Sequence, residues 1–226
     1  MSELSVFDIA GPIMIGPSSS HTAGACKIGQ FARALFHKTP QKVTFYLHGS
    51  FGEVYKGHAT DRALLGGVMK FRTSDPRIEC AFKVAEEKKI KYKFIKKDLG
   101  AKYHPNTVQI VLENKAYKMS IIGSSIGGGM IEIVKIDDFD INLKGRVGKY
   151  QSLVVCHDKD SQLLTNIIGR IKKMSIGVAE VESTSFRKKT LSIISLEGRR
   201  ILLKEVVELE KIGGIEFVRA LSKLDK

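Results

Sequence analysis

The alternation of apolar and polar positions is clearest in the last third of the chain. Ser152–His157 is a short apolar run between polar residues and predicts a strand. Ser161–Met174 carries Leu163, Leu164, Ile167, Ile168 and Ile171 at helical spacing, with Asp160 or Ser161 placed to cap it. Ile176–Glu182 alternates as a strand, and Thr190–Leu196 follows as another after the basic turn Arg187–Lys189. Ile201–Ile212 reads as a helix ended by Gly213-Gly214, and Ile215–Ala220 closes the series. Strand–helix–strand–strand–helix–strand is the ferredoxin-like split βαβ arrangement.

The preceding part mixes short strands and helices and holds most of the 21 glycines. Ala23–Phe36 predicts a helix whose small residues Ala23, Gly24, Ala25 and Gly29 permit close packing. Lys42–Leu47 alternates as a strand. Asp75-Pro76 is a cap and first-turn pair for a helix through about Lys89. Val108–Leu112 and Tyr117–Ile122 pair as a hairpin across Glu113-Asn114-Lys115, and Met130–Ile136 is a further strand. Lys144–Tyr150, with Gly145 and Gly148, reads as a linker. The expected class is α+β: a mixed α/β substrate-binding-type domain over residues 1–148, then a ferredoxin-like domain over residues 152–226.

The 226 residues, 43% hydrophobic and 27% charged, supply enough apolar material for a core and exclude wholesale disorder. The longest stretch without Asp, Glu, Lys or Arg, Ile9–Cys26, is broken by prolines, serines and His21, so no membrane span is expected. The first residues have neither the basic nor the apolar region of a secretory signal. Cys26, Cys80 and Cys156 are isolated and form no CxxC spacing. A cytoplasmic location is expected. The net charge of +13 is densest at Lys88, Lys89, Lys91, Lys93, Lys96 and Lys97. No nucleic-acid-binding signature accompanies these lysines. They read as a solvated face, with attraction to an anionic substrate or an acidic partner subunit as the other reading.

Four polar clusters lie in the first domain. In Gly16-Pro17-Ser18-Ser19-Ser20-His21-Thr22, three serines precede a predicted helix, so hydroxyls and backbone N–H groups surround its positive end. That suits a carboxylate, and a neutral His21 there can act as a general base. A serine cap with an incidental histidine fits the same string. In Gly57-His58-Ala59-Thr60-Asp61-Arg62, helix capping accounts for Thr60 or Asp61 but not for Gly57-His58. His104-Pro105-Asn106-Thr107 fits a turn before a strand. Ser124-Ser125-Ile126-Gly127-Gly128-Gly129 fits either a flexible bend or a close approach to a ligand, and matches no nucleotide-binding loop. No two of His21, His48, His58 and His104 have HxH or i, i+4 spacing, so no metal site built by this chain is expected. Convergence on an organic anion is the better reading.

Taken together, Gly16–Thr22 (GPSSSHT), Gly57–Asp61 (GHATD), His104–Thr107 (HPNT) and Ser125–Gly129 (SIGGG) resemble, in order, the motifs of the iron–sulfur-dependent L-serine dehydratases, specifically their separate β chain. The likeness covers residues 1–148, and the βαββαβ unit resembles the ACT domain that such β chains carry. The resemblance implies elimination of L-serine to pyruvate and ammonia, with a [4Fe–4S] cluster held by the cysteines of a partner α chain. It implies a heteromer in which this chain is inactive alone. Carried over, His21 is the expected base, and Ser18, Ser19, Ser20 and Thr22 hold the substrate carboxylate and ammonium. His58, Asp61, His104 and Asn106 are expected to line the remaining wall or orient contacting groups; nothing is assigned to His48.

The first ACT-like loop, Cys156–Gln162, lacks the glycine or proline with which ligand-binding ACT domains contact an amino acid, which leaves a structural or dimerising role at least as well supported as an effector site. The first domain is also similar to the allosteric substrate-binding domain of some phosphoglycerate dehydrogenases, which implies a non-catalytic anion- or amino-acid-sensing module. A sensor needs no base, so His21 within the serine string favours catalysis.

Overall fold

The computed structural model describes residues 13–144 and 151–222. It divides into two compact units, one of residues 13–137 and 142–144, the other of residues 138–141 and 151–222. Most of the expected linker lies outside the described residues; Lys144 ends a strand.

The first unit is built on a six-stranded sheet: β1 (Lys42–Leu47), β2 (Lys91–Lys96), β3 (Thr107–Glu113), β4 (Lys118–Gly127), β5 (Met130–Ile136) and β6 (Phe139–Lys144), in the order β2-β1-β3-β4-β5-β6. β1 and β2 are parallel; β1–β3, β3–β4 and β4–β5 are antiparallel. The helices are α1 (Ala25–Phe36), α2 (Gly49–Val54), α3 (Thr60–Val68) and α4 (Ala81–Glu87). β1 and β5 form over the residues expected as strands, and the expected hairpin forms with its second strand extended to Gly127.

The structure departs from the expected elements in three places. The lysine-rich stretch is an edge strand, β2, alternating exposed Lys91, Lys93 and Lys96 with half-buried Tyr92 and Phe94. Phe94 stacks on Phe45 at 4.7 Å between ring centres, and Tyr92 stacks on Phe82 of α4 at 5.4 Å. Lysines along an edge also discourage pairing with foreign strands. The expected helix from Pro76 to Lys89 is interrupted: Asp75 caps a 3₁₀ turn, Pro76–Ile78, and α4 begins only at Ala81. Buried Ile78 pins that turn beneath α3, where a Cβ on Gly66 would lie 3.3 Å from its Cγ1. β6 and the single-turn α2 are additional elements that the apolar pattern does not reveal.

Helices α1 and α3 pack backbone to backbone. A Cβ on Gly67 would fall 2.1 Å from the Cys26 carbonyl oxygen, and one on Gly29 would fall 2.4 Å from that of Leu64. Gly123 plays the same part where α1 lies on the sheet: its Cβ position is 2.9 Å from Ile28 Cγ2. Ile28, Leu35, Phe36, Ile110, Leu112 and Ile121 fill the core between.

The second unit contains β7 (Gln151–Asp158), α5 (Ser161–Lys173), β8 (Gly177–Phe186), β9 (Lys189–Glu197), α6 (Leu203–Glu210) and β10 (Ile215–Ser222). Its fully antiparallel order β10-β7-β9-β8 is that of the expected split βαβ unit. Asp160 caps α5 by accepting the Gln162 N–H at 2.8 Å. Leu153, Val155, Leu163, Ile167, Ile171, Ile194, Leu209 and Val218 form its core. Among the described residues, no helix is long and apolar enough to cross a membrane.

Gly67→Ala should lower the denaturant midpoint, with a loss of about 1–3 kcal/mol or more, because the atom its methyl meets is backbone and cannot step aside. Gly169→Ala, inside α5 with nothing within 4 Å of the new methyl, should instead stabilise the second unit by about 0.4–1 kcal/mol. Equal midpoints for the two variants would contradict the close helix contact.

Candidate active site

The serine string builds the start of the α1 rod. Ser18 is extended (φ −138°, ψ 124°), and its Oγ accepts the His21 N–H at 3.0 Å. Ser19–Gly24 then forms a π-helical turn that runs directly into α1. The helical segment therefore begins four residues before the expected Ala23. Ser18 is the cap, whereas Ser19 and Ser20 sit inside the first turn, half-buried. Among the described residues, no side-chain partner occupies the Ser19 or Ser20 hydroxyls. Capping thus accounts for one serine of three. π turns carry a wider, less regular bond pattern and recur at functional sites.

His21 projects from this turn among four neighbours. Its Nε2 lies 2.9 Å from Ser50 Oγ, and its Nδ1 lies 3.4 Å from Ser18 Oγ. The ring stands edge-on to buried Phe51 at 5.5 Å and tilted against His58 at 4.9 Å. Burial, and next the charge of His58, push the His21 pKa below its ordinary 6.5. The imidazole is therefore neutral near pH 7, the form a base requires. The larger cause is desolvation.

The second cluster meets the first through Thr22, whose Oγ1 donates to the His58 carbonyl at 2.9 Å. α3 starts after Ala59, which is left-handed (φ 54°) and offers no side-chain cap. Thr60 and Asp61 are both inside the helix, so neither caps it. Asp61 Oδ1 accepts the Arg62 N–H at 2.8 Å, and burial raises its pKa.

The third and fourth clusters are locked to each other. The Ser125 N–H donates to the Asn106 carbonyl at 2.9 Å. Thr107 Oγ1 donates to the His104 carbonyl at 2.6 Å, and Ser124 and Thr107 hydroxyls meet at 2.7 Å. His104 itself is exposed, its Nδ1 accepting the Asn106 N–H at 3.1 Å. Ser124 and Ser125 belong to β4, while Gly127, Gly128 and Gly129 all have positive φ (105°, 58° and 74°) and turn the chain into β5. A Cβ on Gly24 would strike Ser125 Oγ at 2.1 Å, which places the fourth cluster against the π turn. His21, His58, Ser18 and Thr22 thus meet directly, whereas His104 and Asn106 reach them through intervening segments.

Among the described residues, three of the four buried polar side-chain atoms without a hydrogen-bond partner belong to this assembly: His58 Nδ1, Thr60 Oγ1 and Ser125 Oγ. Leaving such a group unpaired costs about 1–3 kcal/mol, which a purely structural core avoids. Ser50, Phe51, Thr60 and Ser125 are contributions that reading the sequence for charge and histidine spacing missed. Thr60 and Ser125 sit inside two of the motif strings, and Ser50 and Phe51 lie in Leu47-His48-Gly49-Ser50-Phe51, the segment upstream of the second cluster. His48, assigned nothing, ties a loop down by accepting the Leu99 N–H at 3.1 Å, 3.3 Å from the Asp98 carboxylate.

The cysteines do not fit an iron–sulfur cluster. Burial pushes the Cys26 thiol up to about 12, and it donates to the Phe71 carbonyl, whereas a cluster ligand must be a thiolate. Cys80 is exposed with its thiol on the Arg77 carbonyl, and Cys156 is buried in the second unit. Among the described residues no three His, Cys, Asp or Glu side chains gather to hold a metal.

A neutral imidazole beside unpaired hydroxyls at a helix start is the equipment of a site that holds a small polar molecule and moves a proton. A family model described as serine dehydratase beta chain matches residues 5–135. A probable L-serine dehydratase beta chain of Bacillus subtilis (strain 168) is 40% identical over 216 residues, covering 95% of this chain and 96% of that one. The L-serine dehydratase beta chain of Peptoniphilus asaccharolyticus is 39% identical, covering 86% and 85%. The chain belongs to the serine dehydratase beta chain family. A solved ACT domain from the GTP pyrophosphokinase of Chlorobium tepidum aligns with 32% of this chain and 96% of that one, at 14% identity and a TM-score of 0.29. That likeness is too low to bear on the fold, which rests on the strand order of the second unit.

A proton-resolved titration should place the His21 midpoint below 6.5, and His58→Gln should move it upward by removing the neighbouring charge. Because the folded pKa is depressed, the contribution of His21 to stability is present above pH 6.5 and is lost as pH falls through the folded midpoint. A midpoint at or above 6.5 would contradict the enclosed setting.

Proposed function

We propose that this chain is the β subunit of a cytoplasmic L-serine ammonia-lyase, which assembles with an α chain to convert L-serine to pyruvate and ammonia. The observation that carries the reading is the neutral, half-buried His21 next to Ser19 and Ser20, whose hydroxyls have no side-chain partner among the described residues. The names of the two relatives supply the substrate and the existence of a further chain.

The work of the chain follows from its own groups. Ser19 and Ser20, with N–H groups of the opening turn, hold the substrate carboxylate where the helix end favours negative charge. Ser18 fixes the turn by capping it, and Thr22 fixes the His58 backbone; each shapes the pocket through the bond it already makes. His21 takes the Cα proton as the Cβ–O bond breaks, and the imidazolium so formed gives that proton to solvent, so that proton and hydroxide leave as water while the enamine tautomerises and hydrolyses to pyruvate and ammonia. His58 limits how basic that imidazole becomes. Asp61, held toward its neutral form by burial, with His104 and Asn106, lines the remaining wall around the ammonium. The [4Fe–4S] cluster that the family resemblance assigns to the α chain would supply Lewis acidity for departure of the Cβ hydroxide. No ligand for it comes from this chain.

Purified chain without its partner should form no pyruvate from L-serine, and adding the α chain anaerobically should restore turnover. In the assembled enzyme His21→Ala should lower kcat by about 10²–10⁴-fold while leaving assembly intact. Normal turnover in that variant, or turnover by the isolated chain, would falsify the assignment. Tight anion binding without any partner chain would point instead to a sensing module.

A further inference from the structure

The short hydrogen bond to the His21 ring comes from outside the serine string. Ser50 Oγ lies 2.9 Å from Nε2, against 3.4 Å from Ser18 Oγ to Nδ1. Ser50 is held from several sides. Gly49 before it has φ +51°, and a Cβ there would lie 2.8 Å from the Pro105 carbonyl oxygen, so glycine lets this segment press onto the His104–Thr107 turn. The His48 N–H donates to the Thr107 carbonyl at 3.0 Å, and the Phe51 N–H donates to the Pro105 carbonyl at 3.4 Å. The His48 ring is held in turn by the Leu99 N–H. Phe51, fully buried, meets the imidazole edge-on.

We infer that Ser50 is a positioning residue for proton abstraction by His21: its hydroxyl fixes the rotation of the imidazole and decides which nitrogen carries the hydrogen. The inference rests on His21 being the base and names the group through which that base is held. Packing by Phe51 and His58 restrains the tilt of the ring. It cannot distinguish the ring from its 180° flip, because the terminal torsion of histidine is two-fold and the flipped ring has the same outline. A hydrogen bond can, since it recognises nitrogen and not carbon. A flipped ring would present carbon where the base needs a lone pair. His58 is the titratable group that faces the ring; the hydroxyls of Ser18 and Ser50 are neutral.

The test compares wild type, Ser50→Ala, Ser50→Thr and His21→Ala as full chains, free and assembled with the α chain. Ser50→Ala should lower kcat about 10–100-fold through misplacement of the base. KM should stay within about threefold, because the substrate-holding groups are untouched. The acidic limb of the kcat/KM profile should move, and Ser50→Thr, which keeps the hydroxyl, should recover most of the rate. Long-range ¹H–¹⁵N spectra of the free chain should show one His21 tautomer in wild type and a mixture in Ser50→Ala. Should the alanine variant fail to fold, Ser50→Cys, with a weaker bond partner of similar size, serves the same comparison. Wild-type kcat, an unmoved pH profile and a single unchanged tautomer in Ser50→Ala would overturn the inference, even with His21→Ala inactive. An active His21→Ala would instead remove the base assignment, and the spectra would still decide whether Ser50 orients the ring.

Discussion

The contact on which the site depends is the meeting of two helix backbones, α1 and α3, with no side chain between them. Gly67 faces the Cys26 carbonyl and Gly29 faces that of Leu64, each at a separation that excludes even a methyl group. Close-packed interiors transmit such constraints because neighbouring atoms have no room to absorb a displacement. The approach sets where the start of each helix lies. At one start is the π turn with His21 and Thr22; at the other are His58, Thr60 and Asp61. The Thr22 hydroxyl on the His58 carbonyl and the ring contact between His21 and His58 follow from it. The first and second clusters, far apart in the chain, become one surface.

That surface is kept electrically quiet within a chain of net charge +13. Burial depresses His21 and raises Asp61, so desolvation drives both toward their uncharged forms. The result is an enclosure of hydrogen-bonding groups rather than an ion pair. It also retains unpaired polar atoms at His58, Thr60 and Ser125. Such atoms lower stability and remain available to a bound molecule. The excess charge lies elsewhere, on edges such as β2, where lysines are solvated and block strand addition.

The second unit solves a different problem. Its first loop lacks glycine, and the close approach there is made by Gly214 (φ +84°) from the loop before β10, whose carbonyl accepts the Asp158 N–H at 2.8 Å. A polar chain, buried at His157 and Ser192 and reaching the surface at Ser183, crosses three strands. His157 Nδ1 donates to the Asp158 carbonyl at 2.7 Å, which leaves Nε2 to accept from Ser192 Oγ at 2.9 Å, and Ser183 meets Ser192 at 2.8 Å. Such a chain pins β-strand register, because a slip of one residue would leave each member unpaired.

By itself the sequence determined what depends on neighbours a few residues away. Period-two alternation defines β1 and β5, helical spacing and the Asp160 cap define α5, and the order of elements defines the second unit. The small residues of α1 announced close packing, and the four polar strings contain most of the residues that meet at the candidate site. Tertiary structure decided what depends on distant partners. The helical run starts at Ser19 because the π turn packs on β4; α3 starts at Thr60, after left-handed Ala59, leaving Thr60 and Asp61 inside it; and the Pro76 helix breaks where Ile78 is pinned beneath α3. Ser50 and Ser125 gain their importance only from where α2 and β4 come to lie. Local propensity sets which conformation a segment prefers in isolation, but a hydrogen bond between residues 29 positions apart exists only once the sheet and helices have placed its ends.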